Sequence, residues 1–199
     1  MPNTEPFPRE NLNAMADSCV DFVQRAIGLA LDYTQDTLPI LDHYLREARK
    51  EAGTPVLLAP IAVAAGAYFG KLVTRQFSGA HLHESPDMQA CRVQFSTIFL
   101  HFNPIGIAQE VITQADAPGW SAHFSTFDDQ RAVIEQSVDD NLQLRIEDYY
   151  SFSVRYEMLD QVVAVLTALE GQRKNGPRTF GSNVYAALSG ELEIPHNDN

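Results

Sequence analysis

The sequence predicts an α+β fold, a mainly helical single domain with a small antiparallel sheet. Apolar residues recur at three- and four-residue steps before residue 77 and again over residues 153–170, which is typical of amphipathic helices. Between these parts, residues 91–103 are rich in β-branched and aromatic types and alternate in polarity, which indicates strands. With 199 residues, 45% of them hydrophobic, the chain can bury a core and is too apolar for general disorder.

Two helices are predicted after a loose N-terminal arm at residues 1–10. Thr34 or Asp36 can cap the second helix, Pro39 falls in its first turn, and Gly53 ends it. The apolar stripe of the first helix is Met15, Cys19, Phe22, Ala26, Leu29 and Tyr33, and that of the second is Leu38, Leu41, Leu45 and Ala48.

A third helix is predicted from Thr54-Pro55 or Pro60 to about Phe77. Its small residues Ala62, Gly66 and Gly70 lie four apart and share one face, which predicts close approach by another element. Residues 52–70 contain no charge, a run of 19 that approaches the length of a membrane span. Because the run contains prolines, glycines and many alanines, we interpret it as a buried core helix rather than a span.

The middle of the chain carries the predicted sheet. Residues 78–90 are interpreted as a polar loop, and a change of alternation frame at Ser96-Thr97 predicts a hairpin or a bulge within 91–103. Asn103-Pro104 ends the strand, and a short helix follows to about Thr113. Ser121–Phe127 is predicted as a further strand.

The remaining elements complete a domain over residues 11–171, helical in 11–77 and mixed in 78–171. Asp128 or Asp129 is predicted to cap a helix. Leu142, Leu144 and Ile146 alternate with polar residues, which predicts a half-buried strand. Residues 153–170 are predicted to form a helix with a broad apolar face. Residues 172–199 are predicted as a surface loop, with one short turn at Val184–Leu188, and a frayed tail.

Three short stretches carry a resemblance to a known group of domains. They are Ala67-Tyr68-Phe69-Gly70, Asn103-Pro104, and Tyr149-Tyr150 with Arg155-Tyr156-Glu157. In this pattern, over roughly the middle three quarters of the chain, the sequence resembles a family of bacterial α+β domains to which no function is assigned. The resemblance therefore implies a fold class and no activity, cofactor or site.

Charge and cysteine content limit the partners and the compartment. The net charge of −12 would repel a phosphate backbone, so nucleic-acid binding is not expected. The first residues carry no basic, apolar leader, and Cys19 and Cys91 are too few for a disulfide framework. We therefore expect a cytoplasmic protein that binds no membrane, with both cysteines acting as small buried hydrophobes. The sequence leaves the oligomeric state open.

His81 and His83 are the best metal candidates, with Glu84 or Asp87 as an oxygen donor. A structural metal site needs about four ligands with ordered supporting groups, and the pair sits among loop residues, so two exposed histidines are the simpler reading. We predict no metal. The chain also contains no P-loop, no dinucleotide fingerprint and no HExxH or EF-hand motif, so we predict no cofactor.

Catalytic motifs are incomplete in this sequence. Gly119-Trp120-Ser121-Ala122-His123 approaches the nucleophile elbow of hydrolases and lacks the final glycine and the preceding buried strand. His101 is isolated in a predicted strand, where a structural role is the more common one. A small hydrolase-type enzyme, with a site assembled from dispersed residues such as His101, His123 and an acid, is the alternative hypothesis.

The acidic segment 128–160 is the strongest functional feature, with nine acids against three arginines and a net charge of −6. An acidic surface with tyrosines would suit a basic protein partner, because opposite charges steer association; acidity that merely confers solubility is the competing reading. We predict an immunity- or adaptor-like protein that binds a protein partner, with contacts from Asp139, Asp140, Glu147, Asp148, Tyr149 and Tyr150.

Overall fold

The structure, a computed structural model, describes residues 12–52, 55–141 and 146–188. The side chains at 52, 55–56, 139–141, 146–147 and 188 lie outside this description. The helices are α1 (Leu12–Ile27), α2 (Leu38–Ala52), α3 (Pro55–Gln76), α4 (Pro104–Thr113), α5 (Asp128–Asn141), α6 (Ile146–Tyr149), α7 (Phe152–Gly171) and α8 (Ser182–Leu188).

Three short strands form an antiparallel sheet in the order β1-β2-β3. They are β1 (Ala80–His83), β2 (Arg92–Phe95) and β3 (His101–Phe102). The predicted fold class, a mainly helical α+β domain with a small antiparallel sheet, is confirmed.

Helix α3 is the central element of the core, and it packs most extensively against α1 and α4. The predicted close approach on its small-residue face is confirmed. A Cβ atom on Gly66 would lie 2.5 Å from the Cα atom of Ile105, so only glycine lets the backbones of α3 and α4 come this near. The stretch Leu57–Gln76 is long and apolar enough to cross a membrane, but 61% of its most apolar part is buried inside the protein, which fits the core-helix interpretation.

The predicted apolar stripe of α1 is right in part: Cys19 is buried, Met15 and Phe22 are half-buried against the core, and Ala26 is exposed. The helix buries Leu12, Ala16, Cys19 and Val23, and it ends before Gly28, which has a φ of +80°. Leu29, predicted in the apolar stripe, is 51% exposed. Apolar residues occur on more than one face of this helix, so the stripe alone did not fix its rotation. The stripe of α2 is confirmed, because Leu38, Leu41 and Leu45 are all buried.

The frame change at Ser96-Thr97 is confirmed as a hairpin. The amide of Phe95 donates to the carbonyl oxygen of Leu100 at 3.2 Å, and Val93 pairs with Phe102. The predicted polar loop at 78–90 was wrong in part, because residues 80–83 form β1 and pair with β2. A four-residue strand is too short to show a period, and its pairing with β2 defines it.

The prediction for α4 is confirmed, whereas that for the strand after it is confirmed only at one residue pair. Helix α4 begins after Asn103 and ends at Thr113, as predicted. Asn103 caps its N-terminus, because the Asn103 Oδ1 accepts hydrogen bonds from the amides of Ile105 at 2.9 Å and Gly106 at 3.2 Å. The strand predicted at Ser121–Phe127 is reduced to a single bridge between Ser125 and His101.

The strand predicted from the alternation at 142–147 is wrong where the structure describes it. Leu142 and Leu144 lie outside the described residues, whereas Ile146 begins the helical turn α6. Tyr149 at the end of that turn packs its ring 3.7 Å from the guanidinium carbon of Arg155, a contact that favours a turn into α7.

The predicted surface loop at 172–199 also differs from the structure over its described part. Residues 182–188 form α8, and both Phe180 and Tyr185 are buried. Their rings pack around Phe99 in a small second apolar cluster. The basic, turn-rich composition of residues 172–180 did not show these two anchors.

Candidate functional site

The N-terminus of α7 is held by side chains from two parts of the chain. The hydroxyl of Ser151 accepts a hydrogen bond from the amide of Val154 at 3.3 Å. Asp42, on α2, accepts hydrogen bonds from the amides of Phe152 at 2.7 Å and Ser153 at 3.0 Å, and from the Ser153 hydroxyl at 2.6 Å. Asp42 therefore caps a helix 110 residues away. Burial raises the pKa of the Asp42 carboxyl, against the opposing effect of these hydrogen bonds.

A cavity of about 470 Å³, here called the junction groove, opens beside this cap where α2 and α4 meet the start of α7. Arg46 and Arg49, one turn apart on α2, line it together with Asp148 and Glu157. Both signs of charge therefore meet in one groove. Its lining residues are Pro39, Asp42, Leu45, Arg46, Arg49, Val111, Gln114, Asp148, Tyr150, Ser151, Ser153, Val154 and Glu157.

Hydrogen bonds at both the backbone and the hydroxyl hold Tyr150 in place in the junction groove. Its carbonyl oxygen accepts from the Gln114 Nε2 at 2.9 Å, and its hydroxyl donates to the Asp116 Oδ1 at 3.0 Å. The hydrogen bond to Asp116 raises the pKa of the Tyr150 hydroxyl. The loop after α4 thus holds an aromatic side chain at the rim of the groove.

A buried ion pair lies on the other side of this region. The Arg155 Nη2 on α7 donates to the Glu110 Oε2 on α4, and both side chains are 1% exposed. The Glu110 Oε1 accepts from the amide of Ala117 at 3.3 Å. The Arg155 Nε has no hydrogen-bond partner in the part of the chain that the structure describes. A buried donor without a partner carries a real free-energy cost, so this atom requires an explanation.

Sequence reasoning did not identify the pair, although one signal was present. Arg155 stands at helical spacing between Phe152, Leu159 and Val162, all three of which are buried. A charged residue within such an apolar stripe indicates a buried charge, and a buried charge requires a partner of opposite sign. The spacing shows neither that Glu110 is this partner nor that Tyr149 covers the guanidinium.

A second cavity, of about 620 Å³, lies between α5 and α7 and is here called the α5–α7 groove. It runs along the surface from the loop before α5 to the middle of α7. Its described lining residues are His123, Phe124, Ser125, Thr126, Arg131, Ile134, Glu135, Val138, Tyr149, Arg155, Met158 and Val162.

The structure describes three of the six predicted partner-binding side chains, and it places them between the two grooves. Asp148 and Tyr150 line the junction groove, and Tyr149 lines the α5–α7 groove. The two tyrosine rings meet edge to face, with centroids 5.1 Å apart. The side chains of Asp139, Asp140 and Glu147 lie outside the described residues.

The predicted weak metal candidates lie on β1. His83 is exposed and His81 is partly so, and the pairing partner of His83 is the cationic Arg92. Among the residues that the structure describes, no group of three or more His, Cys, Asp or Glu side chains is arranged to hold a metal ion. Both cysteines are buried and unpaired, and burial raises the pKa of the Cys19 thiol to about 12.

The residues of the hydrolase alternative do not meet in the described structure. Burial lowers the pKa of His101 to about 4, and the positive charge of Arg92 adds to this effect. The His101 ring contacts the rings of Phe99 and Tyr185, and no described serine or carboxylate forms a hydrogen bond with it. His123 is exposed in the α5–α7 groove.

Comparisons of the chain with protein-family models, with curated proteins and with solved structures find no match in any of the three.

Proposed function

We propose that this protein acts by binding another protein, in the manner of an immunity or adaptor protein, through the junction groove. The observation that carries the proposal is the placement of Tyr150 at the rim of a groove that contains two arginines. Tyrosine and arginine are enriched among residues that dominate the affinity of protein interfaces. Tyr150 is also held by two hydrogen bonds, so its ordering costs little entropy on binding.

The charge around the groove supports a basic partner segment. Asp148 and Glu157 line the groove, and the acidic segment 128–160 continues from it with exposed carboxylates on α5 and α7. Asp128, Asp129, Glu135 and Asp160 are all exposed. Such a field would accelerate the encounter with a cationic partner, and salt would weaken it. The proposal places this event in the cytoplasm.

The test begins with affinity capture from the native cell and identification of the retained protein. Association and dissociation rates are then measured for the parent protein and for Tyr150→Ala, at two salt concentrations. We expect Tyr150→Ala to weaken binding at least tenfold, chiefly through faster dissociation, as loss of an aromatic anchor does.

A charge-matched pair of variants tests the acidic segment. The first replaces Asp139, Asp140, Glu147 and Asp148 with Asn or Gln; the control replaces four acids elsewhere, the exposed Asp21, Asp36, Glu51 and Glu84. We expect the first variant to associate more slowly and with less salt dependence than the control. Equal association rates in the two variants would show that the segment is only a solvated surface.

The hydrolase-type alternative remains a hypothesis without a favouring arrangement among the described residues. Among the described residues neither imidazole ring is hydrogen-bonded to a serine or a carboxylate, which nucleophilic catalysis would require; Ser125 contacts His101 and His123 only at their backbone atoms. A hydrolytic activity that disappears in a His123→Ala variant and survives Tyr150→Ala would favour the enzyme over the binder.

A further inference from the structure

The geometry points to a binding site in the α5–α7 groove for a small molecule that carries one carboxylate on an apolar body. This inference is independent of the proposed protein partner, because that proposal rests on the junction groove. Its starting point is the Arg155 Nε, a buried donor to which no atom of the described residues is hydrogen-bonded. A carboxylate oxygen is the acceptor that the guanidinium group binds best.

Two arginines line this groove, and each also contacts a carboxylate, Arg155 that of Glu110 and Arg131 that of Asp128. Arg131 and Arg155 line it against a single described acid, Glu135, although the segment 128–160 has a net charge of −6. Arg131 pairs with Asp128 at 3.1 Å, but their side chains are 62% and 94% exposed, so the pair is weak and Arg131 can turn to a ligand. The Arg155 Nε is a single donor without a partner among the described residues, so one acceptor group is enough, which favours a carboxylate over a phosphate dianion.

The rest of the groove fits an apolar body. Ile134 and Val138 on α5 face Met158 and Val162 on α7 across it. The volume of about 620 Å³ is far larger than a carboxylate group needs and lies within the range of pockets for small ligands. An alkyl or aryl chain in this space would remove the apolar walls from water while the carboxylate lies at the arginine end.

Tyr149 controls access to the arginine. Its ring lies 3.7 Å from the guanidinium carbon, and the Arg155 side chain is only 1% exposed. Binding therefore requires Tyr149 to move outward. Glu110 stays paired with the Nη2, so the ligand adds a second anion to an arginine that is already held in place. The fixed guanidinium loses little entropy when the ligand binds.

Isothermal titration calorimetry with octanoate, 3-phenylpropanoate and octan-1-ol tests the site on the full chain. We expect both carboxylates to bind with a stoichiometry of one and the uncharged alcohol to bind at least tenfold more weakly. Equal affinity of octanoate and octan-1-ol, or no binding of either carboxylate, would overturn the proposal.

Two neighbouring positions on α5 give a matched pair of variants. Ile134 lines the groove, whereas Val133 does not line it and is exposed. We expect Ile134→Trp to fill the groove and abolish octanoate binding, and Val133→Trp to leave it unchanged. Arg155→Lys, which keeps the charge opposite Glu110 and loses the Nε donor, should weaken octanoate at least tenfold. If Arg155→Lys does not fold, the α5 pair still decides: equal binding by the two tryptophan variants overturns the site.

Discussion

The hydroxyl of Tyr185 donates a 2.7 Å hydrogen bond to the carbonyl oxygen of Phe95, which lies 90 residues earlier in the chain. The same hydroxyl accepts from the amide of Leu100 at 3.3 Å. One phenol on α8 therefore bridges both strands of the β2–β3 hairpin at the end where the chain turns. These residues are buried, so water cannot reach their polar groups. The Tyr185 hydroxyl supplies the hydrogen-bond partner instead.

Tyr185→Phe removes this bridge while keeping the ring. We expect the free energy of unfolding to fall by about 1–3 kcal/mol, since buried hairpin groups lose a partner. Urea denaturation measures the change. Tyr150→Phe is the control, because its hydroxyl is exposed and bonds to the exposed Asp116; it should cost less than about 0.5 kcal/mol. Equal costs for the two variants would mean that the Tyr185 bridge contributes nothing specific.

Gly66→Ala should destabilise the protein by about 1–3 kcal/mol or more, because the added methyl collides with the α4 backbone 2.5 Å away. Gly66→Leu should cost more still. Gly171→Ala is the matched control at the end of α7, where an added Cβ meets no atom within 4 Å. Thermal unfolding measures both. An unchanged melting temperature for Gly66→Ala would contradict the observed contact between α3 and α4.

Glu110 and Arg155 form a buried ion pair, so we expect the effects of substitutions at the two positions on the free energy of unfolding to be non-additive. Arg155→Met alone leaves a buried carboxylate without its cation and should cost about 3–5 kcal/mol. Arg155→Met combined with Glu110→Leu removes both charges and should be more stable than the single variant. Denaturant unfolding of the cycle gives the coupling free energy. Additive costs would show that the two side chains do not interact.

His101 predicts a loss of stability in mild acid. Its pKa falls to about 4 in the folded protein, from an ordinary value near 6.5. Between these values the unfolded chain binds more protons, so the free energy of unfolding decreases as the pH falls, by at most about 1.4 kcal/mol per pH unit. This dependence fades as the pH rises above 6.5, where the unfolded chain also loses the proton. His101→Gln should flatten this dependence in urea titrations from pH 7 to pH 4, and the exposed His43→Gln should not.

From the placement of the two histidines on β1 we predict that the protein requires no metal. His81 and His83 share one face of an edge strand, and the cross-strand neighbour of His83 is Arg92, whose positive charge opposes a bound cation. We expect purified protein to contain no stoichiometric zinc and to keep its melting temperature in the presence of a chelator. Zinc that survives dialysis and disappears in a His81→Ala, His83→Ala variant would contradict this prediction.

Local patterns in the sequence predicted the elements that local physics controls. The α4 boundaries follow from Asn103-Pro104, because an Asn cap and a proline in the first turn act on their immediate neighbours. The hairpin follows from the frame change at Ser96-Thr97, since alternation has a period of two. The small face of α3 also followed from spacing, because residues four apart stack on one side of a helix.

Other features depend on contacts between residues distant in sequence. The pairing of β1, the burial of Tyr185 beneath the hairpin, and the capping of α7 by Asp42 each join segments whose own sequences give no sign of their partner. The candidate sites are of this kind, since Arg155, Glu110 and Tyr149 come from three helices. Sequence alone determined the acidity, the apolar core and the helical character of this protein. Only the tertiary structure decided which charges are buried and which side chains line a groove, because burial and pairing are properties of the packed chain.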